Sequence, residues 1–238
     1  MNPLIAMLER RDRLSDAEKA ALETLAGPIR HIAAGEDLVC EGDRPHVSTL
    51  MLSGLTARYN TLRDGERQIS AIHITGDFID LHSFPMHVMD HGVVALSACT
   101  VAQYQHEALI TVTEEFPHLT RMLWLSTLID AAIHRRWLVA MGRQSSTAQL
   151  AHLLCELHVR LGLVGLTDGD SFDLALTQAE LGDVLGLSLV HVNRVIQQLK
   201  RDGLIAWTGR RVSILDLPRL RDFAEFDPTY LHLETEPR

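Results

Sequence analysis

From about Ile32 to Gln105 apolar and polar residues alternate in short stretches, punctuated by glycines at 35, 42, 54, 65, 76 and 92. Such alternation predicts half-buried strands joined by tight turns, where glycine supplies positive φ, and hence an antiparallel sandwich or barrel. Leu50 and Leu52, then Leu55, Ala57 and Tyr59, and later Val94, Leu96 and Ala98, read as strands with one face inward. Upstream, Ser15 with Glu18 three residues on is a capping box, opening a short helix to about Leu25.

The period changes at Pro117, a residue suited to the first turn of a helix. No glycine or second proline intervenes before Gly142, so a helix to about Met141 is expected, roughly 37 Å long. Met122, Leu125, Ile129 and Ala132 follow alternating steps of three and four and predict a dimerisation seam, with Leu123, Leu128 and Ile133 turned toward the sheets. Gly142 is expected to end this helix and serve as a hinge, and Ser145 and Ser146 to begin the next. Leu150, Leu154, Leu157 and Leu161 then form an apolar stripe, followed by a polar loop from Gly165 to Asp170.

The segment Leu176 to Ile205 reads LTQAELGDVLGLSLVHVNRVIQQLKRDGLI. Thr177 and Glu180 form a second capping box, predicting a helix over Gln178 to Leu185. Gly186 provides the turn and Ser188 caps a second helix to about Arg201, which together make a helix-turn-helix. On a helical wheel Val192, Val195, Ile196 and Leu199 share one side. Val190, Arg194, Gln197 and Arg201 share the other, flanked by His191, Asn193 and Gln198. Ala206 to Ile214, with Thr208, Gly209, Arg210 and Arg211 at its turn, reads as a β-hairpin wing.

Charge sharpens this picture. The 238 residues hold 31 acids and 22 bases, a net −9 that by itself points away from nucleic acid. Between Ser188 and Arg211, however, five bases stand against one acid, Asp202, so this segment alone carries +4 and suits phosphate contact. The candidate DNA contacts are Thr177, Gln178, Ser188, Val190, His191, Asn193, Arg194, Gln197, Arg201, Arg210 and Arg211. Cysteines at 40, 99 and 155 are unpaired in spacing and suggest reduced thiols. No apolar run approaches the roughly 20 residues of a membrane span, and no signal peptide is legible, so a cytoplasmic protein without membrane partners is expected.

The whole pattern resembles the Crp/Fnr superfamily of bacterial transcription regulators, which includes the cyclic-AMP receptor protein and the fumarate and nitrate reduction regulator. The resemblance rests on the glycine-punctuated β-roll with AGEDLVCEGD at 34–43 and GDFIDLHSF at 76–84, the long helix and the winged helix-turn-helix. It implies an α+β chain in three parts: a jelly-roll, cyclic-nucleotide-binding-like sensor over 1–116, a dimerisation helix and hinge over 117–142, and a winged helix-turn-helix over 143–238. It further implies a homodimer on a palindromic promoter site that engages RNA polymerase, its two recognition helices in major grooves roughly 34 Å apart. The cyclic-AMP receptor reads bases from an Arg-Glu pair after the cap and an Arg one turn later; those positions hold Leu189, Val190 and Arg194 here. Arginine suits guanine O6 and N7, whereas Val190 offers only contact with a thymine methyl.

The sensor residues depart from the pattern of nucleotide-binding relatives, which carry Gly-Glu after GDF and then Arg-Ser or Arg-Thr for the cyclic phosphate. Here GDF is followed by Ile79, Asp80, Leu81 and His82, and the arginine region holds Met89, Asp90, His91 and Gly92. An anionic phosphate needs a fixed cation or a nest of N–H donors, so cyclic AMP in the usual mode does not fit. An iron–sulfur cluster normally takes four thiolates, and no cysteine precedes Cys40. The effector pocket is placed at Phe78, Asp80, His82 and His91, with the effector unidentified and no metal ligands assigned. The surplus of 13 histidines, with His73, His82, His87, His91 and Cys99 near the presumed pocket, keeps a haem-, metal- or redox-responsive regulator open as the alternative. A cupin-like metalloenzyme would need a His-x-His with a carboxylate, and no His-x-His occurs, so no catalytic residue is assigned.

Overall fold

The computed structural model describes residues 2–237. Two short helices, α1 (Pro3–Leu8) and α2 (Asp16–Leu25), precede seven strands: β1 (Ile29–Ile32), β2 (Asp37–Val39), β3 (Val47–Ser53), β4 (Thr56–Thr61), β5 (Arg67–His73), β6 (Gly92–Ala95) and β7 (Cys99–Gln105). A single-turn helix, α3 (Ser83–Met86), interrupts them after β5. The strands form two antiparallel sheets, ordered β1-β7-β3 and β2-β6-β4-β5. Ile32, Met51 and Val101 from the first sheet meet Val39, Val93 and Ala95 from the second, and this apolar interior closes the roll. On the outer side, α1, α2, α4 (His106–Glu115) and the start of α5 (Pro117–Arg143) pack Leu4, Leu22, Leu109 and Met122 around Leu50 and Tyr104. Each fully buried leucine here is worth about 1.5–3 kcal/mol.

Ser15 and Glu18 realise the expected box in α2. Glu18 also accepts from His118 Nδ1 at 2.7 Å, and Asp12 from its Nε2 at 3.1 Å, so α5 is tied at its first turn.

The described residues divide into two compact units, one of residues 2–60, 71–131 and 232–237, the other of residues 61–70 and 132–231. In the second unit α6 (Ser146–Leu163) is the central element, with Leu150, Leu154, Leu157 and Leu161 all buried. Its Glu156 is wholly enclosed, yet satisfied: Tyr230 Oη, Trp137 Nε1 and Arg160 Nη1 donate to it at 2.8, 3.1 and 3.1 Å. Burial raises its pKa against the opposing charge of Arg160. Four short strands, β8 (Thr167–Asp168), β9 (Ser171–Asp173), β10 (Ile205–Thr208) and β11 (Arg211–Ile214), form a sheet ordered β10-β11-β9-β8. Between them lie α7 (Gln178–Leu185) and α8 (Leu189–Arg201), and α9 (Leu217–Phe223) follows.

Two expectations need correction. Helix α5 continues through Gly142 to Arg143, and the break comes instead at Ser145, whose side chain caps α6 by accepting from Ala148 N. The expected seam also faces the wrong way. Met122, Ile129 and Ala132 are buried within the chain and Leu125 is half-buried, whereas Leu128, expected to face the sheets, is 49% exposed. At the start of that stripe Met122 joins Leu50 of β3 and Ala102 and Tyr104 of β7 in one core.

Candidate nucleic-acid interface

Three local features set the angle between α7 and α8. Thr177 Oγ1 accepts from Glu180 N, and Glu180 Oε2 accepts from Thr177 N at 2.7 Å, which fixes where α7 starts. Gly186 then takes φ +64°, a left-handed turn that L side chains resist. Inside α7, Gly182 approaches the turn so closely that a Cβ there would stand 2.6 Å from Leu187 O. Ser188 caps α8 through His191 N.

Helix α8 buries the predicted stripe: Val192, Val195, Ile196 and Leu199 are all buried. The other side is open, with Val190 at 81% exposure and Asn193, Arg194, Gln197 and Arg201 also exposed. Asn193 Nδ2 donates to Gln178 Oε1 at 3.4 Å, so one candidate on each helix positions the other.

The bases fall into two groups. Lys200 Nζ donates to Trp207 O at 2.7 Å, Arg201 to Gln198 Oε1 at 2.7 Å, and Arg211 pairs with Asp168 at 2.8 Å and Asp173 at 3.5 Å. The side chains of Arg194 and Arg210 have no partner among the described residues. Arg210 sits in the wing turn between Thr208 and Arg211, which pair across β10 and β11. The available positive charge is thus concentrated at one point on the reading helix and one on the wing.

In the first unit, Phe78, Asp80, His82 and His91 lie on or beside the segment joining β5 to β6. Phe78 stacks edge-on against Tyr104, their centroids 5.2 Å apart, and serves the core. Asp80 is buried and accepts from Thr49 N at 2.5 Å; enclosure pushes its carboxyl up to about 7. His82 and His91 stand with ring centroids 5.0 Å apart, and His91 Nδ1 meets Asp90 Oδ1 at 2.6 Å. Burial, assisted by the charge of Arg58, holds His82 down to about 4 and His91 below its ordinary value. Arg58, on β4, donates to Asp130 Oδ2 on α5 at 2.9 Å. Arg58, Asp90 and Asp130 were not among the expected pocket residues. A charged residue in the otherwise apolar run around Ala57, and another beside Ile129, were the available signals.

Residues 148–223 match the Crp-like helix-turn-helix domain and residues 29–116 the cyclic nucleotide-binding domain. The transcriptional activator protein FnrL of Cereibacter sphaeroides is 28% identical over 219 residues, covering 90% of this chain and 87% of that protein. The nitrogen fixation regulation protein FixK of Bradyrhizobium diazoefficiens is 29% identical, covering 89% and 87%. In fold, the structure of FixK2 from Bradyrhizobium japonicum matches with TM-score 0.76 at 24% identity, over 84% of this chain and 98% of that one. The chain belongs to the Crp/Fnr superfamily.

As a Crp/Fnr protein it is a DNA-binding transcriptional regulator and not an enzyme. No helix among the described residues is long and apolar enough to cross a membrane. Two cofactors that the superfamily brings to mind do not fit the residues present. A cyclic phosphate would meet buried Asp80 and the rim carboxylate of Asp90, while Arg58 is already engaged by Asp130. An iron–sulfur cluster normally takes four thiolates. Here Cys40 and Cys99 lie in one unit and Cys155 in the other. Burial raises the thiols of Cys99 and Cys155, the latter to about 12, and partial desolvation with the nearby carboxylates of Asp43 and Asp37 raises that of the exposed Cys40.

Proposed function

We propose that this Crp/Fnr regulator acts as a cytoplasmic homodimer on a palindromic promoter site, that its β-roll senses a signal, and that it there engages RNA polymerase. The reading surface consists of Gln178, Val190, His191, Asn193, Arg194 and Gln197, with Arg210 on phosphate. The observation that carries the dimer is the outward face of α5. Trp124, Leu128, Ala131, Arg135 and Leu138 repeat in steps of four and three. Trp124, Leu128 and Leu138 are 64%, 49% and 72% exposed. A line with heptad spacing, apolar at every position but Arg135 and left open along one long helix, fits a parallel copy of itself. Several similar proteins are named transcriptional activators, which supports activation at the promoter.

Sedimentation of the full chain, alone and with DNA selected from a random pool, tests this reading. A dimer is expected, selecting a two-fold symmetric site whose half-sites lie about one helical turn apart. Leu128→Glu, which puts a charge in the line without touching the core, is expected to yield a monomer that loses symmetric-site binding. A wild-type monomer with full affinity, or an asymmetric selected site, would overturn it.

A further inference from the structure

His82 caps α3 and His91 directly precedes β6, so the eight residues between them, four of them in α3, return the chain to its starting point. That loop is firmly held. Met89 exchanges backbone hydrogen bonds with the segment at Gly42 and Asp43, and Asn60 Nδ2 donates to Asp90 O at 2.8 Å. His82, Asp90 and His91 thereby bring one donor atom each to within 4.8 Å of one another.

Two further observations single out the nitrogens. The Nε2 atoms of both His82 and His91 are buried and have no hydrogen-bond partner among the described residues, although His91 is only 6% exposed. Buried polar atoms without partners are rare in folded proteins and ask for an explanation. Asp90 accepts from His91 Nδ1, which leaves the lone pair on Nε2, as for histidines whose second nitrogen binds a metal. The ring spacing agrees as well. Two imidazoles binding one tetrahedral ion at about 2.0–2.1 Å place their centroids about 5 Å apart, and the observed separation is 5.0 Å. The cation facing the cluster, Arg58, is balanced by Asp130 at 2.9 Å.

We propose that His82 and His91 bind one divalent first-row transition-metal ion through their Nε2 atoms, with Asp90 as the residue that positions His91 and solvent completing the coordination. Imidazole pairs suit zinc, cobalt, nickel or copper rather than calcium or magnesium, which prefer oxygen. The site does not depend on the dimer or on DNA binding.

The test is titration of tag-free, chelator-treated full-length protein with Co²⁺, followed by its ligand-field absorbance, with Zn²⁺ in competition and Mg²⁺ as the oxygen-preferring control. One equivalent is expected to bind, with dissociation in the micromolar range or tighter, and Zn²⁺ to displace it. His82→Gln and His91→Gln should each weaken binding at least tenfold. Asp90→Asn should weaken it about tenfold with an altered absorbance spectrum, Asp90→Glu restoring both. His118→Gln should leave it unchanged. Absence of saturable Co²⁺ binding in the wild-type protein, or equal binding in the His82→Gln and His91→Gln variants, overturns the proposal.

Discussion

Arg194 and Arg210 carry the same charge in different surroundings, from which different effects of replacing them are expected. Arg194 lies on the open side of α8 among Val190, Asn193 and Gln197, where a fork of N–H donors can meet a guanine edge. Its replacement by alanine is expected to cost about 1–3 kcal/mol on the selected site and little on random DNA. Arg210→Ala should instead weaken all sequences alike and lower the salt slope by about 1. Arg211→Ala should do much less, because Asp168 and Asp173 already occupy its guanidinium. Anisotropy titrations of specific and random duplexes at several salt concentrations check all three; equal losses on both duplexes for Arg194→Ala would count against base reading. Which side of α8 is buried and which is open was legible in sequence because a helical wheel needs only local spacing. The pairing of Arg211 was not, since it depends on the register of β9 against β11, which sets Asp173 opposite Arg211.

Elements were legible where start and stop signals are local. The capping boxes at Ser15 and Thr177 and the left-handed Gly186 fall where the sequence placed them. Helix α9 carried a comparable signal, Asp216 accepting from Arg219 N ahead of Pro218, that was overlooked. The face of α5 was misread for a different reason. Both Met122-Ile129-Ala132 and Trp124-Leu128-Leu138 have heptad-compatible spacing, and only long-range packing decides which one the chain itself covers. Gly182 was also missed, because its role lies in a contact across the turn. Gly182→Ala drives a Cβ into Leu187 O, and overpacking of this kind costs about 1–3 kcal/mol, so a lowered melting temperature with impaired DNA binding is expected in calorimetry. The tie between α2 and α5 predicts a pH dependence. Burial lowers the pKa of His118, but hydrogen bonds and charge from Glu18 and Asp12 outweigh it and raise the pKa on balance. The resulting stabilisation is present below about pH 6.5, the unfolded histidine's pKa, and fades as pH rises through the folded one. His118→Gln should therefore lower the melting temperature by about 2–4 °C at about pH 6 and by clearly less at about pH 9; an equal loss at both would refute the ion pair.

At the scale of the molecule, the net charge of −9 conceals a division of labour. Acids dilute the chain's attraction for nucleic acid in general, while unpaired positive charge remains at Arg194 and Arg210, which suits contact at a few points rather than through a basic coat. Sequence texture located both kinds of domain but could not show that the second compact unit is assembled from separate stretches of chain. Gln68 Nε2 donates to the carbonyls of Asp183 and Val184 at 2.8 and 3.2 Å, and Arg67 pairs with Asp183 at 2.7 Å. The turn between β4 and β5 therefore belongs to the helix-turn-helix unit, although more than a hundred residues separate them in sequence. For inheritance this means that the DNA-reading part is not a portable cassette. A recombination event that exchanged only the C-terminal portion between two relatives would join a foreign α7 to a resident Arg67 and Gln68, so these positions and Asp183 are under pressure to be replaced together.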